Sequence, residues 1–370
     1  MTSLVLAAAM FGSASAWAQP AATAPAPDKA GRPLEAGAAQ PTGEGEAKPG
    51  KIIRIGAPTP IAKPDGALRV AVYNVENLFD DHDDPELSGR YEDKEMTKPD
   101  AACRAVAEAI RAINADVLAL TEVESKQALL WFRDKYIADM GYTYVESPDA
   151  GDERGIEQSV LSRYPLSDAK NWVRMDLGGV HPDKWGRDEN HNKGKPITFH
   201  RSPLRVTVTV PPKEEQGKPY ELTLFVVHQK SGGPGNYWRE KESARVVQLI
   251  GEFQQSNPDA NILLMGDFNA TPEQRSSRII TEGGMIDLFA PVRGSTGKRV
   301  DPLYITHASG RVIDYVYANA NAEKELIRET RFILGTPMRP EGADWRSTLP
   351  PDGYASDHLP LVIDVIPVDK

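Results

Sequence analysis

The chain has 370 residues and a formal net charge of −10, from 43 Lys and Arg against 53 Asp and Glu. Its hydrophobic content of 40% and charged content of 26% are those of a globular protein and exclude a wholly disordered one. Cys103 is the only cysteine, which excludes an internal disulfide framework and a cysteine-based zinc site. The acidic balance argues against a protein that coats nucleic acid duplexes, although it is compatible with a local cationic groove.

Residues 1–18 have the pattern of an export signal. They contain no Asp, Glu, Lys or Arg, and an apolar core from Leu4 to Phe11 precedes small residues that end in Ala16-Trp17-Ala18. This order is typical of a signal peptide with an A-x-A cleavage site, although the basic residues that usually precede the core are missing. We therefore predict export to the periplasm or the extracellular space; the alternative is a frayed apolar N-terminus. No apolar run reaches the roughly 20 residues that a transmembrane helix needs.

Residues 19–65 are predicted to be a disordered linker. The stretch consists mostly of Ala, Pro and Gly with scattered charges, so it has too little apolar surface to offset the entropy of ordering. Residues 52–55 (IIRI) are a short apolar exception that could dock onto the folded part. Alternating strand and helix patterns begin at Leu68 and continue without an internal repeat, which predicts one folded domain over residues 66–370.

Apolar runs of this domain predict eight strands. In chain order they are 68–73, 116–121, 158–162, 205–210, 221–227, 262–265, 312–317 and 361–365. Helical spacing of apolar residues predicts a helix over 99–113, with Pro99 and Asp100 at its start, and a second helix around 246–253.

Residues suited to metal binding or acid–base chemistry stand where these strands meet loops. They are Asn74, Glu122, His228, Asp267 with Asn269, and Asp357 with His358. Strand ends of an α/β sandwich can converge at one edge of the core, so we expect these side chains to form one site. Each alone could be an ordinary cap or turn former, because Asn and Asp favour such places. Five such ends together favour a functional site.

Seven short motifs between Leu68 and Val365 contain these residues. They are 73–80 (YNVENLFD), 119–123 (ALTEV), 154–156 (RGI) with 160–163 (VLSR), 227–231 (VHQKS), 265–269 (MGDFN), 313–316 (IDYV) and 356–361 (SDHLPL). Their order and spacing resemble the endonuclease/exonuclease/phosphatase superfamily, which includes pancreatic-type deoxyribonucleases, apurinic endonucleases, bacterial sphingomyelinases and inositol-polyphosphate phosphatases. The resemblance implies a four-layered α/β sandwich, in which two packed, mainly antiparallel β-sheets are flanked by helices.

The same resemblance implies a metal-dependent hydrolase of phosphoester bonds. Such chemistry needs a divalent cation, a base that orients water, and donors around the phosphate. By resemblance, Glu122 is the principal metal carboxylate, Asn74 lies beside it, and Asp357 supports a second metal position. Oxygen ligands of this kind suit Mg²⁺ or Mn²⁺, with Ca²⁺ as an alternative. The competing interpretation of Glu122 is a solvated glutamate after a strand.

The other catalytic assignments are predicted in the same way. Asp267 and Asn269 are two residues apart, so in extended backbone they project to one face; by resemblance Asp267 orients or deprotonates water and Asn269 holds phosphate. Asp314 pairs with His358 and fixes its tautomer, and either Asp267 or His358 could take the water proton. His228 is expected to donate to the leaving group, with Glu157 as a candidate carboxylate partner.

Arg154, Lys230 and Ser231 are candidate phosphate contacts. The stretch 181–201 adds a locally basic, partly aromatic patch, which suits a loop that touches a phosphate backbone and stacks a base; an ordinary solvated loop is an equal alternative. This patch contains His181, Lys184, Trp185, Arg187, His191, Lys193, Lys195, His200 and Arg201. The acidic stretch 80–95 lacks EF-hand spacing and is interpreted as a solvated loop.

The sequence thus favours an exported, metal-dependent phosphodiesterase, and among these a nuclease of low sequence preference. An alternative is a phosphatase or phospholipase C-like hydrolase of a small or lipid phosphoester, although no long apolar hairpin for membrane docking is evident. A non-catalytic binding domain on the same scaffold is a third hypothesis, and it predicts loss of a central residue, yet all are present. The expected partner is a phosphodiester substrate, predicted to be nucleic acid, and the protein is expected to be a monomer without a stable protein partner.

Overall fold

The structure is a computed structural model, and it describes residues 54–82, 96–212, 214, 216–293, 300–340, 342–344 and 347–370. The predicted signal peptide, the linker up to residue 53 and most of the acidic stretch 80–95 lie outside the described residues. No helix within the described ranges has the length and apolar character needed to cross a bilayer.

Sixteen strands are found in the described part of the chain. They are β1 (Leu68–Leu78), β2 (Val117–Val123), β3 (Tyr144–Glu146), β4 (Glu157–Ser162), β5 (Leu166–Lys170), β6 (Asp176–Val180), β7 (Lys184–Trp185), β8 (Asp188–Glu189), β9 (Pro196–Thr198), β10 (Leu204–Val210), β11 (Tyr220–His228), β12 (Asn261–Asp267), β13 (Ile286–Asp287), β14 (Asp314–Ala318), β15 (Phe332–Ile333) and β16 (Leu361–Val365). The α-helices there are α1 (Asp100–Ile113), α2 (Lys126–Tyr136), α3 (Asn236–Ser256), α4 (Arg275–Glu282), α5 (Ala290–Arg293) and α6 (Ala320–Glu325).

Twelve of these strands form two six-stranded sheets. The first has the order β15-β16-β1-β2-β4-β3, and the second has the order β13-β14-β12-β11-β10-β5. Each sheet contains one parallel pair, β1 with β2 and β11 with β12, while its other neighbours are antiparallel. The prediction of two mainly antiparallel sheets flanked by helices is therefore confirmed. Two short hairpins, β6 with β9 and β7 with β8, stand apart from the sheets.

Side chains that alternate along each central strand face the other sheet on one side and a layer of helices on the other. Val70 and Val72 of β1 belong to the core between the sheets, whereas Ala71 and Tyr73 pack with the helical layer of α1 and α2. In β11, Leu224 and Val226 face the other sheet, while the intervening positions pack against α3 and α4. Because both faces of these strands are buried, their sequences are continuous apolar runs.

The observed elements differ from the predicted ones at their ends. Strand β1 continues past Asn74 to Leu78, and β2 continues to Val123, so that Glu122 lies within a distorted strand end and not after it. Helix α3 is longer than predicted because polar residues of its first turns are themselves buried, among them Arg239 and Glu242. The short edge strands and helix α2 were not predicted.

Residues 54–57 lie within the segment interpreted as linker, but they contact the folded domain. Ile55 is buried, and the backbone N–H of Ala57 donates to the carbonyl of Ile333 at 2.6 Å. Gly56 also donates to the Pro302 carbonyl at 2.9 Å. Ordered backbone therefore begins before β1, and it extends the edge of the first sheet beside β15.

Candidate active site

The predicted site residues meet at one edge of the two sheets. In the second sheet, His228 of β11 is in register with Asp267 of β12, and Asp267 is in register with Asp314 of β14. In the first sheet, Asn74 of β1 is in register with the residue that precedes Glu122 of β2. Parallel pairing of β1 with β2 and of β11 with β12 brings these ends together.

Asn74 connects the two sheets through its side chain. Its Nδ2 donates to Asp267 Oδ2 at 3.2 Å and lies 3.4 Å from Glu122 Oε1. Its Oδ1 accepts the backbone N–H of Glu76 at 3.0 Å. In this arrangement Asn74 Nδ2 is a hydrogen-bond donor shared by two carboxylates, and the role of Asn74 as a metal ligand stays a prediction.

His228 is buried against the same carboxylates. Its Nε2 lies 3.5 Å from Asp267 Oδ2 and 3.7 Å from Glu122 Oε1, while its Nδ1 is buried without a hydrogen-bond partner among the described residues. Burial, with the positive charges of Arg201 and Arg154, lowers the pKa of His228 well below its ordinary value. The structure therefore favours a neutral imidazole at this position.

Glu157 does not pair with His228, as the sequence had suggested it could. Its Oε2 accepts the backbone N–H of Ala150. Burial raises the pKa of Glu157 to about 8. The carboxylates that do lie within 4 Å of the imidazole are those of Asp267 and Glu122.

His358 lies between three carboxylates. Its Nδ1 is 2.9 and 3.0 Å from the two oxygens of Asp314, and its Nε2 is 3.8 Å from both Asp267 Oδ2 and Asp357 Oδ1. Burial alone would lower the pKa of His358, but the charges of Asp314 and Asp267 and the Asp314 hydrogen bond raise it well above its ordinary value. The raised pKa favours an imidazolium at this position, with its Nδ1–H donating to Asp314.

Asp357 has a second histidine partner that the sequence did not indicate. His307 Nε2 lies 3.2 Å from Asp357 Oδ2, and the Ser309 backbone N–H donates to His307 Nδ1 at 2.9 Å. Because Nδ1 accepts, a neutral His307 carries its proton on Nε2 and donates it to Asp357. Burial opposes ionisation of Asp357, but the His307 hydrogen bond and the charge of His358 outweigh it and lower its pKa.

Asp267 is the most central carboxylate of the cluster. Burial raises the pKa of Asp267 to about 7, against the opposing charge of His358. Asn269 holds it, because its backbone N–H donates to Asp267 Oδ1 at 2.8 Å and its Nδ2 lies 3.1 Å from Asp267 Oδ2. The same Nδ2 reaches the Gln229 carbonyl at 3.1 Å, so Asn269 ties β12 to the loop after His228.

Comparison with known proteins identifies the family. The sequence model of the Endonuclease/Exonuclease/phosphatase family matches residues 71–358, which is most of the chain and contains every central site residue. The chain belongs to this family. No curated protein sequence matches it.

Solved structures of low sequence identity are also similar. The human Nocturnin catalytic domain with bound sulfate has a TM-score of 0.48 and 15% identity, over 82% of this chain and 96% of its own. Truncated Caenorhabditis elegans TDP2 has a TM-score of 0.48 and 15% identity, over 81% and 97%. Mannosyl-6-phosphatase Bt3783 of Bacteroides thetaiotaomicron has a TM-score of 0.47 and 13% identity, over 80% and 98%.

Membership of the endonuclease/exonuclease/phosphatase family makes this chain a metal-dependent hydrolase of phosphoester bonds. The side chains present fit a divalent cation, because buried Asp267 and partly buried Glu122 are held close together by one neutral amide. Oxygen donors of this type suit hard cations. Among the described residues, Asp267, Asp314 and His358 form one group with metal-ligand spacing, and His307, Asp357 and His358 form another.

Backbone strain is concentrated at this family site. Glu76, Asn77, Glu122 and Asn269 all have φ between 50° and 64°, the left-handed region that residues with a side chain rarely adopt. Three other non-glycine residues of the described chain share this conformation. Such clusters persist where neighbouring contacts enforce them, typically at functional sites.

The predicted phosphate contacts lie at different distances from the Glu122–Asp267 cluster. Arg154 is adjacent to it, since its Nη2 donates to Asn77 Oδ1 and lies 3.6 Å from Glu122 Oε2. Lys230 lies in the loop after His228. Its Nζ donates to the Ser231 carbonyl at 3.2 Å and lies 5.1 Å from the centre of the Trp185 ring. Ser231 is half-buried beside it. Lys230 and Ser231 therefore lie at the outer edge of the active site.

The basic patch over 181–201 is only partly a surface. Lys184, Arg187, Lys193 and Lys195 are exposed on the hairpins. Arg201 is buried instead: its Nε donates to Asp152 at 3.1 Å, and its Nη1 donates to the carbonyls of His228 and Gln229 at 3.3 Å.

Two histidines of this patch are also held internally. His181 Nδ1 is 2.8 Å from the Tyr237 hydroxyl, and His200 packs edge-on against Trp238 with ring centres 5.0 Å apart. These rings support the hairpins from within. The patch therefore consists of an exposed cationic rim over a buried aromatic layer.

Sequence reasoning missed several residues that position the site. They are Asn77, Lys98, Asp152, Arg201 in its buried role, and His307. Asn77 lies inside the quoted YNVENLFD motif, so its place there was a usable signal. Asp152 and His307 stand in loops without periodicity, and only the folded chain reveals their partners.

Proposed function

We propose that this protein is an exported Mg²⁺- or Mn²⁺-dependent nuclease of low sequence preference, which hydrolyses phosphodiester bonds by in-line attack of water. The observation that carries the proposal is the convergence of Glu122, Asp267, His228 and the Asp314–His358 pair on one buried edge. Such a set supplies a cation site, a base and fixed donors to one phosphate.

Asp267 is proposed as the group that orients the attacking water and takes its proton. The charges of Asp314 and Asp267 and the Asp314 hydrogen bond raise the pKa of His358 well above its ordinary value, which favours a proton on both ring nitrogens and disfavours His358 as the base. Its Nε2–H is left to donate to a phosphate oxygen. Asp267 lies within 4 Å of both imidazole Nε2 atoms, so water beside it would be held next to the phosphate.

His228 is proposed as a hydrogen-bond donor to the developing charge. Its neutral form and the carboxylates near Nε2 place the proton on that nitrogen. Arg154, one-third exposed beside Glu122, is positioned to bind a non-bridging oxygen. Glu122 is the carboxylate proposed to hold the divalent cation, with Asp357 as a second one, and this cation supplies Lewis-acid stabilisation of charge on the phosphate.

The exposed cationic rim supports a polyanionic substrate over a small phosphoester. Lys184, Arg187, Lys193 and Lys195 outnumber the exposed acids of the same segment, Asp183, Asp188 and Glu189, by one charge, although Lys193 Nζ lies 3.4 Å from Asp183, and the whole protein has a net charge of −10. Neutralisation of several successive phosphates by such a rim strengthens binding to nucleic acid irrespective of sequence. A small substrate bound only at the buried centre would gain nothing from it.

The substrate class is tested by offering the purified protein plasmid DNA, RNA, sphingomyelin and inositol phosphates, each with Mg²⁺ or with EDTA. We expect metal-dependent loss of plasmid and RNA and no release of product from the two small or lipid substrates. Hydrolysis confined to sphingomyelin or inositol phosphates would support the phosphatase or phospholipase C-like alternative and contradict the proposal.

The cationic rim is tested by charge reversal. The double variant Lys184→Glu/Arg187→Glu is expected to raise the KM for plasmid about tenfold, by weakening phosphate contacts, and to leave hydrolysis of bis-(p-nitrophenyl) phosphate unchanged. The matched control is Lys218→Glu/Lys324→Glu, which reverses two exposed charges at the opposite end of the sheets. Equal KM values for the two double variants would argue against a nucleic acid substrate.

A further inference from the structure

Lys98 is a buried cation close to the site that none of the steps above uses. Its side chain is almost fully enclosed, with 6% of the residue exposed. Its backbone N–H donates to the Phe79 carbonyl at 3.0 Å, and its Nζ donates to the Glu76 carbonyl at 2.9 Å. A buried ammonium is costly unless it has partners, so this contact calls for an explanation.

The carbonyl that Lys98 binds belongs to a strained turn. Glu76 has φ of 50° and Asn77 has φ of 56°, so two consecutive side-chain-bearing residues are left-handed. L-residues disfavour this conformation because Cβ approaches the following carbonyl. The turn needs fixed contacts on its backbone to remain in place, and Lys98 provides one of them.

The peptide group between Glu76 and Asn77 also contacts Glu122, on the side opposite Lys98. The Asn77 N–H donates to Glu122 Oε2 at 3.0 Å, and Asn77 Oδ1 accepts from Arg154. The Glu76 carbonyl and the Asn77 N–H belong to one planar peptide unit and point in opposite directions. The direction of the carbonyl, fixed by Lys98, therefore fixes the direction of the N–H toward the carboxylate.

We propose that Lys98 is a positioning residue for Glu122, acting through the Glu76–Asn77 peptide group. The inference rests on the proposed role of Glu122 as the metal carboxylate. It assigns Lys98 to metal affinity and not to contact with substrate. It also explains why a strained turn and a buried cation occur together at this edge.

The proposal predicts the opposite sign from simple charge repulsion. Lys98 is a positive charge in the neighbourhood of a cation site, so its removal alone should tighten cation binding. If Lys98 orients Glu122, its removal should weaken binding, because the carboxylate loses its fixed N–H donor. Metal affinity therefore separates the two effects without any measurement of activity.

The test is a Mn²⁺ titration of the full-length protein, followed by calorimetry or by the loss of the free-ion paramagnetic resonance signal. Lys98→Met is expected to weaken Mn²⁺ binding about tenfold or more, within the range of losses found when groups that orient a metal ligand are removed. Lys98→Arg, which keeps a cation, should recover part of the loss. The apo melting temperature of Lys98→Met is expected to fall, because the Glu76 carbonyl loses its donor and the buried Glu76 carboxylate loses a nearby cation, so Mn²⁺ affinity is measured well below the melting transition.

The matched control is Lys63→Met. Lys63 also pairs with a buried acid, since its Nζ is 2.8 Å from Asp116, but it lies at the other end of β1. We expect this variant to bind Mn²⁺ as the unmodified protein does. A general effect of lysine removal would instead appear in both variants.

A second variant keeps the inference testable if Lys98→Met folds poorly. Glycine adopts left-handed backbone without penalty, so Glu76→Gly/Lys98→Met should recover Mn²⁺ affinity to within about threefold of Glu76→Gly. Unchanged or tighter binding by Lys98→Met, or no recovery in the double variant, would overturn the role of Lys98. If the unmodified protein bound no Mn²⁺, the proposed metal site itself would fail, which is a distinguishable result.

Discussion

The charge of His358 is set by its neighbours and not by its exposure. Burial alone would make the imidazole neutral, but Asp314 bonds Nδ1 at 2.9 Å, and two further carboxylates lie 3.8 Å from Nε2. Asp314→Asn removes the negative partner and lowers the pKa of His358. We expect kcat to fall about 100-fold with little change in KM, since acid–base groups contribute at least this much.

The pH profile of Asp314→Asn gives the sign of this effect. The proposed reaction needs protonated His358, which is lost as the pH rises through its pKa. A lower pKa therefore moves the alkaline limb of the kcat profile to lower pH, as measured with bis-(p-nitrophenyl) phosphate. An alkaline limb at the same pH as in the unmodified enzyme would show that His358 does not need its proton.

Asp267 and His358 are expected to be indispensable. Asp267→Ala and His358→Ala should each reduce metal-dependent hydrolysis of bis-(p-nitrophenyl) phosphate by about 1000-fold or more, because base and donor act at the reacting phosphate. Circular dichroism should be unchanged. Asp259→Ala, an exposed aspartate before β12, is the control and should retain full activity. Full activity in either site variant would remove the mechanistic assignment.

Residue types and their strand-end positions were enough to predict which side chains meet. Apart from the Asp314–His358 pair, which the family resemblance implied, the sequence did not predict the hydrogen-bond partner of each side chain. Asn74 turns its amide nitrogen toward two carboxylates, Asn269 holds Asp267, and His307 joins Asp357 from a loop of no visible pattern. These partners come from distant segments, and side-chain orientation depends on the packed backbone.

Among the elements, the pair β11 and β12 carries the strictest sequence requirement. Gly266 has φ of 142°, and a Cβ there would lie 1.9 Å from the Val227 carbonyl oxygen. Gly266→Ala is therefore expected to lower the free energy of unfolding by about 3 kcal/mol or more, as measured by urea denaturation. The close approach keeps His228 and Asp267 in register.

The control for this substitution is Gly251→Ala within α3. A Cβ at Gly251 meets no atom within 4 Å, and alanine is the better helix former by roughly 0.5–1 kcal/mol. This variant should be as stable as the unmodified protein or slightly more stable. A Gly266→Ala protein of unchanged stability would contradict the close packing of β11 on β12.

Central strands were predictable because both of their faces are buried, and peripheral elements were not. The run 361–365 matches β16 residue for residue, whereas β13 and β15 have two residues each and carry no periodic signal. Helix α2 was missed although Ala128, Leu129, Phe132 and Tyr136 form a buried face at helical spacing. Edge strands follow from pairing with the sheet and not from their own composition.

At the scale of the whole molecule, export remains a prediction from residues 1–18. Expression of the full chain in a bacterial host with a secretory pathway is expected to yield a periplasmic or secreted product that begins at Gln19, after cleavage behind Ala18. N-terminal sequencing of each cell fraction measures this. A cytoplasmic product that retains residues 1–18 would contradict export and leave the enzymatic proposal untouched.

The central claim is that distant strand ends form one cation-dependent site for phosphodiester hydrolysis. Its most direct test is the rate of bis-(p-nitrophenyl) phosphate hydrolysis as Mg²⁺ or Mn²⁺ is titrated into EDTA-treated protein, compared with Glu122→Gln and with Glu108→Gln, an exposed control on α1. We predict saturable activation of the unmodified and Glu108→Gln proteins, and a loss of about 100-fold or more in Glu122→Gln. Hydrolysis that persists in EDTA, or equal activation of all three proteins, would contradict the account.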